Sequence, residues 1–172
     1  HPNINESQAN KALVDAVSNM EGVAVFNLYE LSQEIAFNVD EWSKIISDAS
    51  AVIYQFPFYW MSAPSLLKKW QDEVFTFLSK TPAVAGKSLT VVTTTGSEYE
   101  AYRSGGRNRF TMDELLRPYQ VSAIHSGMSW QTPIVVYGMG TADAGKNIAE
   151  GANLYKQRVE MLIGSSNAGN NW

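Results

Sequence analysis

Apolar positions along the chain switch between two spacings. From Gln8 to Ser18 they fall at Ala9, Ala12, Leu13, Ala16 and Val17, the three-to-four spacing of one helix face. Gly22 then stands where a chain leaving a helix favours a left-handed residue. Val23 to Leu28 reads as a strand, and Asp40 to Ser47 as a short helix with Trp42, Ile45 and Ile46 turned inward. The unbroken apolar run from Ala51 to Tyr54 opens a strand over Ala51–Gln55 that is buried on both faces. Pro64 falls in the first turn of the next helix, where its missing N–H costs little. That helix carries Leu67, Trp70, Val74 and Leu78 on one side, with Lys68, Lys69, Asp72 and Glu73 mostly elsewhere. Ser88 to Thr94 predicts another strand. Thr111 and Glu114 form a capping box that starts a helix before Leu115, with Pro118 close enough to that start to leave it intact or slightly kinked. Thr132 to Tyr137 predicts the last strand and Ala144 to Ile163 the last helix. Residues 1–164 thus form one expected domain, and residues 165–172 a flexible polar tail.

Strands alternating with helices imply a parallel sheet covered on both faces, an α/β fold of three layers. Four strands are visible. A doubly wound sheet needs a central first strand, and His1-Pro2-Asn3 stand where that strand should already have ended. The expectation is a five-stranded parallel sheet whose first strand is missing from this N-terminus. The alternative, a true four-stranded sheet, leaves a raw central edge.

Composition narrows the function classes. With 45% hydrophobic residues the chain can bury a sizeable core without disulfides or metals. It has no cysteine, which removes thiol catalysis and thiolate metal sites and agrees with a reducing cytoplasm. Two histidines, His1 and His125, are too few for most catalytic zinc sites. A net charge of −4 with no basic stripe argues against nucleic acid, and no run approaches the length of a membrane span.

Three segments at the expected carboxyl ends of strands carry the candidate chemistry, because ligands of open α/β sheets bind at that edge. The segment from His1 to Asn10 offers Ser7, Asn10 and the amides of a helix start, which suit a phosphate; simple capping is the plainer use of Ser and Asn there. After the strand at Ala51, Pro57 breaks the chain into Phe58, Tyr59 and Trp60. They are either a hydrophobic plug over the sheet or a platform for a planar ring. The third segment, Thr93 to Ser97, includes Gly96, whose lack of a side chain lets backbone approach a ligand. Together these supply a phosphate anchor, an aromatic wall and an amide edge, the needs of a bound flavin.

The same residues carry a resemblance. HPN at the start, SQAN at Ser7–Asn10, QFPFYW with SAP and LLKKW, TTG, EAYR with GG and NRF, and ELLRP resemble the flavodoxin-like NAD(P)H:quinone oxidoreductases. That group spans DT-diaphorases, bacterial general-stress oxidoreductases and ancillary quinone reductases of potassium efflux systems. The resemblance covers His1 to about Gly138. It implies a five-stranded flavodoxin-like fold, a homodimer with the flavin near the interface, and FMN, or alternatively FAD, as cofactor. It assigns His1, Ser7, Gln8, Ala9 and Asn10 to the flavin phosphate and ribityl segment. Pro57, Phe58, Tyr59 and Trp60 match the loop lining the ring, and Thr94, Thr95, Gly96 and Ser97 the stretch at its polar edge. Tyr102 matches an active-site tyrosine. The histidine that DT-diaphorases carry six residues later is Asn108 here, which cannot relay a proton as imidazole does, and Ser97 replaces a glycine common in relatives.

The implied activity is two-electron transfer in a ping-pong cycle. NADPH or NADH gives hydride to the flavin and leaves, and a quinone or similar small acceptor then takes its place. No dinucleotide fingerprint occurs, so the nicotinamide nucleotide visits as a substrate. Arg103, Arg107 and Arg109 sit near the expected site and suit a 2′-phosphate, a solvated loop or a dimer contact. Two other classes stay open: a regulatory ancillary subunit in peripheral contact with a membrane antiporter, and a flavodoxin-type electron carrier.

Overall fold

The computed structural model describes residues 1–31 and 36–168. After a short 3₁₀ turn at Ile4–Glu6, helix α1 spans Gln8–Val17. It buries Ala9, Leu13 and Val17 along one face. Helix α2 (Leu28–Leu31) and helix α3 (Val39–Asp48) follow. Asn38 caps α3, its Oδ1 accepting the N–H groups of Asp40 and Glu41 at 3.1 and 3.2 Å, and Trp42 and Ile46 are buried. Strand β1 is Ala51–Pro57.

Helix α4 (Ser65–Trp70), a π-helical turn at Gln71–Phe75 and helix α5 (Thr76–Leu78) form one continuous rod. It buries Leu67, Trp70, Val74 and Leu78, the face the sequence predicts. Lys68 and Lys69 pair with Asp72 and Glu73 one turn on. Strand β2 covers Ser88–Thr94, as expected.

Helix α6 (Met112–Leu115) begins at the Thr111–Glu114 capping box, both of whose bonds are formed. Pro118 has no N–H to continue that helix, so the chain restarts as α7 (Arg117–His125). This is a break where the sequence suggested at most a kink. The predicted last strand, Thr132–Tyr137, is β4 (Ile134–Val136), and a short β3 (Ser129–Trp130) that the sequence did not predict precedes it. Pro133 lies between them and can donate no ladder bond. Helix α8 runs Ala144–Ala168, past the expected end at Ile163.

All described pairings are parallel: β2 is central, with β1 on one side and β3 and β4 on the other. One core lies under α3, α4 and α7 around Tyr54, Phe56 and Val91. The other lies under α1 and α8 around Leu13, Val92 and Val159. Helices on both faces of a parallel sheet make the three-layer α/β fold expected. The predicted strand Val23–Leu28 is not one: it pairs with nothing among the described residues, and Leu28 already begins α2. A strand needs a hydrogen-bonded neighbour, and the edge of β1 beside which another strand would lie is unpaired. Glycine 22 has a φ of +81°, in a turn past the end of α1 at Val17.

Candidate functional site

The register decides the site. Pro57 of β1 pairs with Thr94 of β2, and Thr94 with Val136 of β4, so three strands end level. The loops they release are stitched together. Phe58 N–H donates to the Thr94 carbonyl at 2.9 Å, and Thr95 N–H to the Val136 carbonyl at 2.9 Å. Gly138, Met139 and Gly140 donate to the carbonyls of Ser97, Thr95 and Gly96 at 2.8, 2.9 and 2.9 Å. A Cβ on Gly140 would stand 3.1 Å from the Gly96 oxygen, so glycine here permits the close approach.

Helix α1 delivers its start to the same edge. Ser7 is the N-cap, its Oγ accepting the Asn10 N–H at 3.2 Å. Asn10 is 2% exposed and donates through Nδ2 to Thr94 Oγ1 at 3.1 Å and to Ser7 Oγ at 3.3 Å. Its carbonyl accepts from Gln55 Nε2 at 2.9 Å. The Asn10 Oδ1 atom is buried without a partner. Gln8 and Ala9 donate their N–H groups to no acceptor among the described residues. No acidic side chain lies in the first turn of α1, so the positive end of the helix dipole is not neutralised locally. By contrast, α3 carries Asp40 and Glu41 there. Gly96 and Ser97 likewise donate to no protein group in the described residues.

The aromatic loop divides its three rings. Phe58 is buried. Tyr59 and Ser62 exchange both backbone bonds, at 2.8 and 3.0 Å, closing a two-residue turn with Trp60 and Met61 at its apex. Their φ angles are +48° and +63°, as in the primed turns that favour Asn and Gly. Holding bulky residues there costs on the order of 1 kcal/mol or more each. Trp60 is 98% exposed. The plug reading therefore applies to Phe58 alone, and Tyr59, Trp60 and Met61 are exposed. His1 joins this loop, its Nε2 3.0 Å from the Tyr59 hydroxyl, while its Nδ1 accepts the Asn3 N–H.

Tyr102 lies on a 3₁₀ turn, Tyr99–Tyr102. It is 6% exposed, edge-on to Phe58 at 6.0 Å between ring centroids and tilted against Tyr137 at 5.9 Å. Tyr99 meets Tyr137 at 5.3 Å. Burial, with Tyr99, Asp113 and Tyr102 nearby, pushes the Tyr137 hydroxyl up to about 12, so it stays a protonated donor at neutral pH. These tyrosines wall a trench of about 660 Å³ that continues along β4 to Leu154 and Met161 of α8. Asn108 is a turn residue, its N–H donating to the Ala101 carbonyl at 3.0 Å. The sequence reading missed Tyr99, Tyr137 and the loop from Gly138 to Thr141. Two glycines directly after a strand at the ligand-binding edge were the available signal.

The profile of the family described as flavodoxin-like fold matches residues 1–159. This chain belongs to that family. Among curated relatives, the uncharacterized NAD(P)H oxidoreductase YdeQ of Bacillus subtilis is 36% identical over 166 residues, 94% of this chain and 84% of its own. The glutathione-regulated potassium-efflux system ancillary protein KefG of Pectobacterium atrosepticum is 34% identical over 141 residues, 80% of this chain and 77% of its own. Among solved structures, general stress protein 14 of Treponema denticola in complex with FMN superposes with a TM-score of 0.85 at 28% identity, covering 94% and 95% of the two chains. An NADPH-quinone reductase of P. pentosaceus gives 0.77 at 28%, with 92% of each chain covered. A chain described as a thermophilic tryptophan halogenase of Streptomycin violaceusniger gives 0.84 at 35%, covering 92% and 94%. The fold alone therefore does not choose the reaction.

Proposed function

We propose that this chain is a flavin-dependent NAD(P)H:quinone oxidoreductase that binds FMN. The observation that carries the reading is the meeting of three loops at Thr94, two of which present N–H donors that no protein group satisfies among the described residues. The N–H groups of Gln8 and Ala9, beside Ser7 and Asn10 at an unneutralised helix start, suit the FMN phosphate. The N–H groups of Gly96 and Ser97 suit the polar edge of a flavin ring. The orphaned Oδ1 of Asn10 marks a site built for a further hydrogen-bonding partner. The residues present thus fit the group. Pro57, Phe58, Tyr59 and Trp60 wall the ring, with Thr95 behind it, and His1 steadies Tyr59. FAD is the alternative cofactor.

When bound, FMN accepts a hydride from NADPH or NADH and passes two electrons to a quinone or similar small acceptor. The chain's part is positional and electrostatic. The outward rings leave one side of the site open to donor and acceptor in turn, the condition for a ping-pong cycle. Tyr102 is the proposed catalytic residue, its hydroxyl stabilising negative charge that develops beside the Gly96 and Ser97 amides. The exposed Tyr59, Trp60 and Met61 promontory motivates a homodimer that covers part of the site, since an apolar apex of this kind is costly to leave in water. Among the described residues no helix is long and apolar enough to cross a membrane. A cytoplasmic location goes with the proposed NAD(P)H-dependent activity.

The 34% identity to an efflux-system ancillary protein supports a second role, peripheral contact with a potassium antiporter, which would keep the same enzyme site. The test of the main reading is direct. Pure protein should bind one FMN per chain, bleach it with NAD(P)H and recolour it with a soluble quinone. A protein that binds neither FMN nor FAD overturns the proposal. One that binds FMN but passes no electrons to quinone leaves the regulatory role in its place.

A further inference from the structure

Three of the chain's five arginines stand within seven residues, at Arg103, Arg107 and Arg109, on the turn that follows Tyr102. All three are exposed. The chain is acidic overall, and Glu98 and Glu100 lie on or beside the neighbouring 3₁₀ turn. Yet the ion pairs among the described residues all involve lysines. None of these guanidinium groups forms an ion pair with a carboxylate among the described residues.

The turn is built to hold them. Gly106 N–H donates to the Arg103 carbonyl at 2.8 Å, Asn108 N–H to the Ala101 carbonyl at 3.0 Å, and Arg109 N–H to the Gly106 carbonyl at 2.9 Å. A Cβ on Gly106 would stand 2.2 Å from the Glu100 oxygen, so this chain path requires glycine. Gly105 and Arg109 hold φ angles of +85° and +62°. Arg107 donates from Nη2 to Ser97 Oγ, which ties the turn to the proposed flavin edge. Arg103 lies over the Tyr99 ring, 5.3 Å from its centroid.

Building on the function proposed above, we infer that this arginine turn is a subsite for a phosphate monoester dianion, the 2′-phosphate of NADPH, and that it makes the chain prefer NADPH to NADH. Guanidinium forks match phosphate oxygens in geometry and charge. Three uncompensated cations next to the donor's landing place suit a dianion better than a single carboxylate. The 2′-phosphate is the one group by which the two donors differ. The rival anion is the pyrophosphate that both share, and it predicts no discrimination.

The first measurement is calorimetric titration of the FMN-loaded protein with 2′,5′-ADP and with 5′-AMP at low salt. 2′,5′-ADP should bind at least tenfold more tightly, and Arg107→Gln or Arg103→Gln should each weaken it roughly tenfold, the loss of one charge-assisted contact. The second measurement is the ratio of kcat/KM for NADPH to that for NADH. In a variant with all three arginines changed to Gln the ratio should fall on the order of a hundredfold, through KM, with FMN still bound. Equal binding of the two nucleotides, an unchanged ratio, or equal losses with both donors would each overturn the inference. Should neither donor bleach the bound FMN, the proposed oxidoreductase role fails, while 2′,5′-ADP binding still decides the arginine turn.

Discussion

Thr94→Val tests whether one hydrogen bond organises the proposed site. Thr94 is 5% exposed and Asn10 2% exposed, so water cannot replace what is removed. Valine keeps the shape of threonine and deletes the oxygen that accepts from Asn10 Nδ2 at 3.1 Å. The Asn10 amide would keep only the longer contact to Ser7 Oγ at 3.3 Å. A buried donor left short of a partner costs about 1–3 kcal/mol. In a chain of this size each kcal/mol lowers Tm by roughly 2–4 °C, so a fall of about 2–12 °C is expected. The same bond joins the start of α1 to β2, and hence the phosphate donors to the amide edge. A misplaced helix start should weaken FMN binding by roughly tenfold, about 1.4 kcal/mol. Thr94→Ser keeps the oxygen and should recover most of both losses. The assays are thermal unfolding of the apoprotein by circular dichroism and titration of FMN fluorescence. If Thr94→Val matches the wild type in both, or Thr94→Ser does no better than Thr94→Val, the bond is not the organiser argued for.

Other expectations follow from single contacts. Tyr102→Phe should slow flavin bleaching in stopped flow by roughly ten- to a hundredfold, the worth of one polar contact to developing charge, about 1.5–3 kcal/mol; equal rates would reduce Tyr102 to a wall of the pocket. Replacing Trp60 by Asn and Met61 by Gly removes two unfavourable left-handed residues and should raise Tm by about 4–8 °C while weakening FMN binding or dimer formation; a stabilised variant with unimpaired binding and assembly would show that the turn serves neither. Lys87 donates from Nζ to the carbonyls of Ile46 and Ser47, each at 2.7 Å, and of Ala49, satisfying the end of α3, so Lys87→Met should cost about 1–2 kcal/mol in urea unfolding. Hydrogen bonds from the Thr111 backbone and side chain hold the Glu114 carboxyl below its ordinary 4.5. Its contribution is therefore present above that value and lost as pH falls through the lower folded-state value. The stability difference between wild type and Glu114→Ala should shrink on acidification through that range, and a difference independent of pH would count against the capping box.

Much of this protein is written locally. The spacing of Leu67, Trp70, Val74 and Leu78 marks a helix face, the run from Ser88 to Thr94 a buried strand, and Thr111 with Glu114 a helix start, because each depends on neighbours a few residues away. The site segments at Ser7, Pro57 and Thr94 were legible for the same reason: a cap, a proline break and a glycine after a strand are short-range signals. What lay beyond the sequence depends on partners far along the chain. Val23 to Leu28 has a strand's composition, but a strand exists only where another offers its edge. Pro133 delays the predicted last strand to Ile134, because the ladder to β2 needs an N–H there. That Asn10 reaches Thr94, 84 residues away, and that Gly138 to Gly140 close over Thr95 to Ser97, are consequences of register. The sequence likewise shows three aromatics after Pro57. Only the turn between Tyr59 and Ser62, closed by backbone bonds, turns Phe58 into the core and Trp60 out into solvent.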